Sequence, residues 1–123
     1  MNSNQKGKRG EREACKLIQS FGYEARRSQQ YSGVRDDATS ADIITNIRNV
    51  RLEVKYGYSV ELWHKQLQDW IKTAVDETPD ETFWVILYKK TRGQWTLITD
   101  LKGIIIQTTD IETVLNEFNA YNW

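Results

Sequence analysis

One cysteine, one histidine and one proline occur in this chain of 123 residues, and each scarcity narrows what the protein can be. Cys15 has no partner for an internal disulfide, and no Cys/His cluster marks a zinc site. His64 stands alone on a predicted helix and reads as a surface or packing residue. No apolar run approaches the roughly 20 residues a membrane span needs, and the N-terminus lacks the apolar segment of a signal peptide. The expectation is a cytoplasmic protein with a reduced thiol, no membrane partner and no small-molecule cofactor. Its length predicts one domain, 1–123, able to bury a core without covalent or metal staples.

A net charge of any size is also missing: 17 basic residues balance 17 acidic ones. The distribution is uneven, however. Residues 1–35 carry Lys6, Lys8, Arg9, Arg12, Lys16, Arg26, Arg27 and Arg35 against Glu11, Glu13 and Glu24, a net of +5. Residues 100–123 carry Lys102 against Asp100, Asp110, Glu112 and Glu117, a net of −3. A basic front end is either a phosphate-binding face or a solvated helix.

Pro79 is the only proline, and no repeat or low-complexity tract interrupts the pattern. Ala14, Leu17, Ile18 and Phe21 recur at helical spacing and Gly22 follows as a stop, predicting a helix over 11–21. Residues 23–28 read as a short strand and 29–40 as an aperiodic loop, of a length that is uncommon unless functional. Strands follow at 41–47 and 50–56. A second helix begins near Trp63, with Leu67, Trp70, Ile71 and Ala74 on one face. Strands at 82–90 and 93–100 pair across a Thr-Arg-Gly turn. Thr109-Asp-Ile-Glu112 predicts a capping box opening a last helix. The order α-β-β-β-α-β-β-α predicts an α/β domain, a mixed central sheet flanked by helices.

The stretch ADIITNIRNVRLEVKYG, 41–57, is the chemically informative one. A two-residue turn at Arg48-Asn49 would pair Ile47 with Val50, Ile44 with Glu53, and Asp42 with Lys55. Alternation puts Glu53 and Lys55 on one face and Leu52 and Val54 on the other. Asp42 then shares the face of Glu53, with α-carbons roughly 7–8 Å apart on the diagonal. A slip of one residue would send Asp42 to the opposite face. The plain alternative is a solvated face on which Arg51, Glu53 and Lys55 simply alternate outward.

Asp, Glu and Lys on one sheet face form a minimal set for phosphodiester chemistry. Enzymes typically lower such barriers by ~8–23 kcal/mol. Mg²⁺ supplies much of this by polarising the phosphoryl oxygen and acidifying water. It takes hard oxygen ligands and keeps several waters, so two or three carboxylates suffice. A neighbouring lysine can orient the attacking water and offset charge in the transition state.

The residues also resemble a known family. Ser40-Ala41-Asp42 followed by Glu53-Val54-Lys55 is similar to the bipartite motif of the PD-(D/E)XK nuclease superfamily, with Ser-Ala in place of the usual proline. KGKRGERE, 6–13, resembles the opening of archaeal Holliday-junction resolvases and related phage-encoded nucleases. LIQSFGYEARRSQQYSG, 17–33, continues the likeness, which covers most of residues 6–99. The resemblance implies a restriction-endonuclease-like core, a metal site of Glu11, Asp42, Glu53 and the Val54 carbonyl, and Lys55 as catalytic lysine. Helical geometry alone does not choose between Glu11 and Glu13; the motif selects Glu11, whose plain alternative is an acidic residue favoured by the helix dipole.

For substrate contact the candidates are Lys6, Lys8, Arg9, Arg26, Arg27 and Arg35 for phosphates, Tyr31 for stacking, and Ser32 and Ser40 in the loop. Gln66, on the second helix, reads as an outer-face residue. The expected activity is that of a Mg²⁺-dependent, structure-selective DNA endonuclease, with Mn²⁺ able to substitute, acting on four-way junctions as a homodimer. Trp84, Trp95, Phe118, Tyr121 and Trp123 are its supply of aromatics for core and interface. The rival expectations are a nicking, flap or restriction-like nuclease, and a non-catalytic DNA-binding module on the same fold.

Overall fold

A computed structural model describes residues 3–28, 30–31, 34–35, 41–58, 65–90 and 92–123. His64, Trp63, Ser32 and Ser40 lie outside the described residues. The elements run α1 (Ser3–Ser20), β1 (Ala25–Arg27), β2 (Gln30–Tyr31), β3 (Val34–Arg35), β4 (Ile43–Thr45), β5 (Val50–Tyr58), α2 (Lys65–Glu77), β6 (Phe83–Lys90), β7 (Trp95–Leu101), β8 (Ile104–Thr108) and α3 (Ile111–Ala120). Six strands form one mixed sheet in the order β1-β4-β5-β6-β7-β8, and β2 pairs with β3 separately. Only β5 and β6 run parallel, joined through α2; every other neighbouring pair is antiparallel. This is the α/β architecture the hydrophobic pattern predicts, with two additions. Part of the expected loop 29–40 forms the short β2–β3 pair, and β8 follows β7.

Alternation along the strands sorts the core into two layers. Leu52, Val85, Leu87 and Leu97 face Ala14, Cys15 and Ile18 of α1 and Ile111, Val114, Leu115 and Phe118 of α3. Trp84, Ile86, Tyr88 and Ile98 face the other way, under Leu67, Ala74, Trp70 and Ile71 of α2. Full burial of one such aliphatic side chain contributes roughly 1.5–3 kcal/mol. No helix among the described residues is long and apolar enough to cross a membrane.

Three local expectations are corrected. The β4–β5 connection is not a two-residue turn, and Ile43 pairs with Leu52 rather than Val54. Ile47 leaves the ladder and is buried in the α1–α3 layer instead. Asn49, at φ 71, donates its side-chain amide to the Phe118 and Tyr121 carbonyls at 2.7 and 2.8 Å. Those contacts hold the longer loop against the end of α3, and the register moves by two residues as a result. Second, α1 starts at Ser3, so Lys6, Lys8 and Arg9 are helical. Third, Asp110 rather than Thr109 stands at the N-cap of α3, without a side-chain cap hydrogen bond, so the capping box is not made. Of the aromatics, Trp84 and Phe118 are buried, whereas Tyr121 and Trp123 are exposed. Phe83 stacks on Phe118 with ring centres 3.9 Å apart, and Tyr121 and Trp123 close around it.

Helix α1 approaches β5 through Gly10. A Cβ there would lie 2.4 Å from the Tyr56 Cβ, a contact that no side-chain rotation can relieve. Gly7, three residues earlier, has open space in the same place. Replacing a helical glycine by alanine normally gains roughly 0.5–1 kcal/mol, whereas overpacking costs about 1–3 kcal/mol. Gly7→Ala should therefore raise the urea midpoint and Gly10→Ala should lower it. Equal stabilisation by both would show that α1 does not sit this close to β5.

Candidate functional site

The face of β5 that points towards α2 carries Arg51, Glu53 and Lys55 in succession, and it is not solvated. The parallel pairing with β6 sets Trp84 beside Arg51, Ile86 beside Glu53 and Tyr88 beside Lys55. Helix α2 lies above them. The Arg51 side chain is 0% exposed and that of Glu53 16% exposed. A charge so placed needs a partner, because an unpaired buried ion costs several kcal/mol. Arg51 finds two: its Nη2 lies 2.6 Å from Glu53 Oε1 and 2.8 Å from Glu77 Oε2 at the end of α2. This buried cation and Glu77 are the residues that sequence reading missed.

Asp42 enters from the neighbouring strand, just before β4. Its N–H donates to the Leu52 carbonyl at 3.1 Å, and its own carbonyl accepts from the Ser28 N–H at 3.0 Å. Its Oδ2 accepts from the Val54 N–H at 2.9 Å. The carboxylate is thus fixed to β5 and meets Glu53 side chain to side chain. A shift of two residues preserves strand parity, so Asp42 keeps the face the sequence assigned it. Val54 turns its side chain into the opposite layer while its backbone stays beside the two acids. Lys55 Nζ lies 5.2 Å from the centre of the Trp70 ring, a cation–π contact that holds it over the site. Asp42, Glu53, Lys55, Trp70, Thr73 and Glu77 line a cleft of about 370 Å³.

Burial pushes the Glu53 carboxyl up to about 8, and hydrogen bonding to Asp42 and repulsion from it add to this, against the pull of Arg51. Glu53 therefore favours its neutral form near neutrality far more than an ordinary carboxyl does.

Glu11 is placed differently. It sits on α1, in the other layer, and its Oε1 lies 2.9 Å from Arg27 Nε. Beside it, burial first and the Glu11 charge second push the Cys15 thiol up to about 11, leaving it unreactive. Among the described residues no group of three or more His, Cys, Asp and Glu side chains is arranged to hold a metal ion. The structure brings Asp42, Glu53, Lys55 and the Val54 backbone together, and does not gather Glu11 with them.

The expected substrate contacts are dispersed. Lys6 and Arg9 line a separate cleft of about 500 Å³. Arg9 also lies 3.6 Å from Glu13. Lys8 is exposed on α1 and Arg26 on β1, while Arg27 is engaged by Glu11. Tyr31 and Arg35 fall on β2 and β3. Gln66 is exposed on α2.

The raised Glu53 pKa makes stability depend on pH. Because the folded value of about 8 exceeds the ordinary 4.5, the contribution is complete below about 4.5 and is lost as pH rises through 8. Glu53→Gln lacks this titration. Between roughly pH 5 and pH 9 the native chain should lose on the order of 3 kcal/mol relative to the variant in urea melts. Parallel pH profiles for the two would show that Glu53 is not in this environment.

Compared with known proteins, the chain matches no family model, and no curated protein matches it in sequence.

Proposed function

We propose that this chain is a divalent-metal-dependent DNA endonuclease of the PD-(D/E)XK type. The observation that carries the reading is the Asp42–Glu53 pair, held side chain to side chain on one sheet face beside Lys55 in a cleft. Two carboxyl groups held this close, one of them mostly buried, are a natural seat for a cation. Mg²⁺ or Mn²⁺ fits the donor set, since two carboxylates suffice for an ion that keeps much of its water. The antiparallel β4–β5 pair and the β5-α2-β6 crossover are compatible with a restriction-endonuclease-like core.

In this reading Asp42 and Glu53 hold the ion. Once bound, it supplies Lewis-acid polarisation of the phosphate and a more acidic water. Arg51 orients Glu53 through Oε1 and limits the cost of its ionised form. Lys55, steadied by Trp70, directs the attacking water and offsets charge on the phosphorus-centred transition state. A four-way junction is the favoured substrate, which needs two symmetric incisions and hence a homodimer. Glu11 would act as a third ligand only after exchanging Arg27 for the metal.

That same Glu11–Arg27 pairing favours a second reading, a non-catalytic DNA-binding module in which both acids serve the fold. Cleavage of labelled four-way junction, flap and linear duplex, in Mg²⁺ and in EDTA, separates the two. Paired symmetric nicks confined to the junction, absent in EDTA and reduced about 100-fold or more by Asp42→Asn or Lys55→Ala, are the expected result. Equal cutting of all three would retain the nuclease and remove the junction preference. If nothing is cut and calorimetry detects no Mn²⁺ binding, with or without DNA, the metal-dependent reading is wrong.

A further inference from the structure

We propose that the second cleft, between α1 and the C-terminal ends of β5 and β6, is a groove for the phosphate backbone of a nucleic acid. Its volume is about 500 Å³, and Lys6, Arg9, Lys89, Lys90 and Arg92 surround it against a single acid, Glu13. On a chain of zero net charge this is a pronounced local excess. The five cations come from α1, from the end of β6 and from the β6–β7 turn. They are brought together by the fold, unlike the charges of one solvated helix face.

The geometry organises two of these cations on one carboxylate. Glu13 lies 3.6 Å from Arg9 Nε and 3.4 Å from Lys89 Nζ, so one carboxylate positions two cations and can cancel only one. Lys89 Nζ also stands 5.9 Å from the ring centres of both Tyr56 and Trp95, which are 6.1 Å apart. Lys6 crosses Gly57, where φ is +80 and an added Cβ would meet the Lys6 Cε at 2.1 Å, and ends 5.0 Å over the Tyr58 ring. Tyr56 thus gives the groove one aromatic surface beside a cationic rim. That combination suits a polyanion whose sugars lie on rings while its phosphates meet ammonium and guanidinium groups.

Position links the groove to the acidic cleft. Tyr56, on its floor, directly follows Lys55, which points through the other face of the sheet. A backbone passing over the end of β5 would touch both. That the polyanion is DNA rests on the nuclease reading; the phosphate preference of the groove does not.

The test uses the full chain in EDTA, where binding is read without cleavage. Anisotropy of labelled four-way junction and duplex is measured across a salt series for the native protein, Lys90→Gln/Arg92→Gln and Lys90→Arg/Arg92→Lys. Removing two phosphate contacts should make the slope of log K against log salt shallower by about 1.8. Affinity should fall about 10-fold at low salt, the charge-conserving variant should restore most of both, and melting temperatures should stay unchanged. An unaltered slope and affinity would overturn the groove, as would native protein that binds no DNA. Should inorganic phosphate alone raise the native melting temperature, with DNA unbound, the site takes small anions and the backbone proposal fails. Lys55→Ala separates the two proposals: normal binding with no metal-dependent cutting by any form would remove the nuclease reading and leave the groove standing.

Discussion

Glu53 sits between Asp42, which opposes its charge, and Arg51, which favours it, at a point where α2 closes over the sheet. Much of the rest follows from keeping that group in place. A guanidinium with no exposed surface is made tolerable by Glu53 and Glu77, which lie within 3 Å of it. Glu77 is the last residue of α2, so the same ion pairs fix where that helix ends over β5. Burying a salt bridge adds little net stability against an apolar alternative, while breaking one costs about 3–5 kcal/mol. The cluster is thus better read as specifying an arrangement than as strengthening the fold. What it specifies is two carboxylates and a lysine facing one cleft.

The two faces of β5 divide the labour. Leu52 and Val54 complete the apolar layer under α1 and α3, which lets Arg51, Glu53 and Lys55 take the opposite face without depriving the core. Beyond Val54 the first face changes character: Tyr56 meets Gly10 and opens onto the basic cleft. One strand therefore carries an acidic cleft on one side and the floor of a cationic one on the other. The zero net charge of the chain is the sum of separated surfaces, not a sign that it lacks affinity for anions.

Much of this was legible in the sequence because it depends on parity and period. The stripe Ala14, Leu17, Ile18 defines the buried side of α1, and the shared face of Asp42 and Glu53 survives a register error of two residues. The size of that error was not legible, since it is set by Asn49 bonding to the end of a helix some 70 residues away. Strand β8 was missed because three consecutive isoleucines have no alternation. Its signal was the two-residue turn Lys102-Gly103, which takes φ of 54 and 85. Arg51 was passed over because alternation predicts only which side a residue takes. Whether that side is wet depends on α2, and its partner Glu77 is 26 residues distant.

The separation of Glu11 from the other acids follows from the same layering. Glu11 belongs to a helix packed on the opposite face of the sheet from α2, and its carboxylate is taken by Arg27 of the edge strand β1. Glu11 beside Asp42 and Glu53 would add negative charge where Glu53 is already pushed towards its neutral form. Pairing with Arg27 spares Glu11 that repulsion. A divalent ion would reverse the balance by supplying two positive charges. In the proposed nuclease, exchanging Arg27 for the metal would couple the closing of the site to the ion it uses.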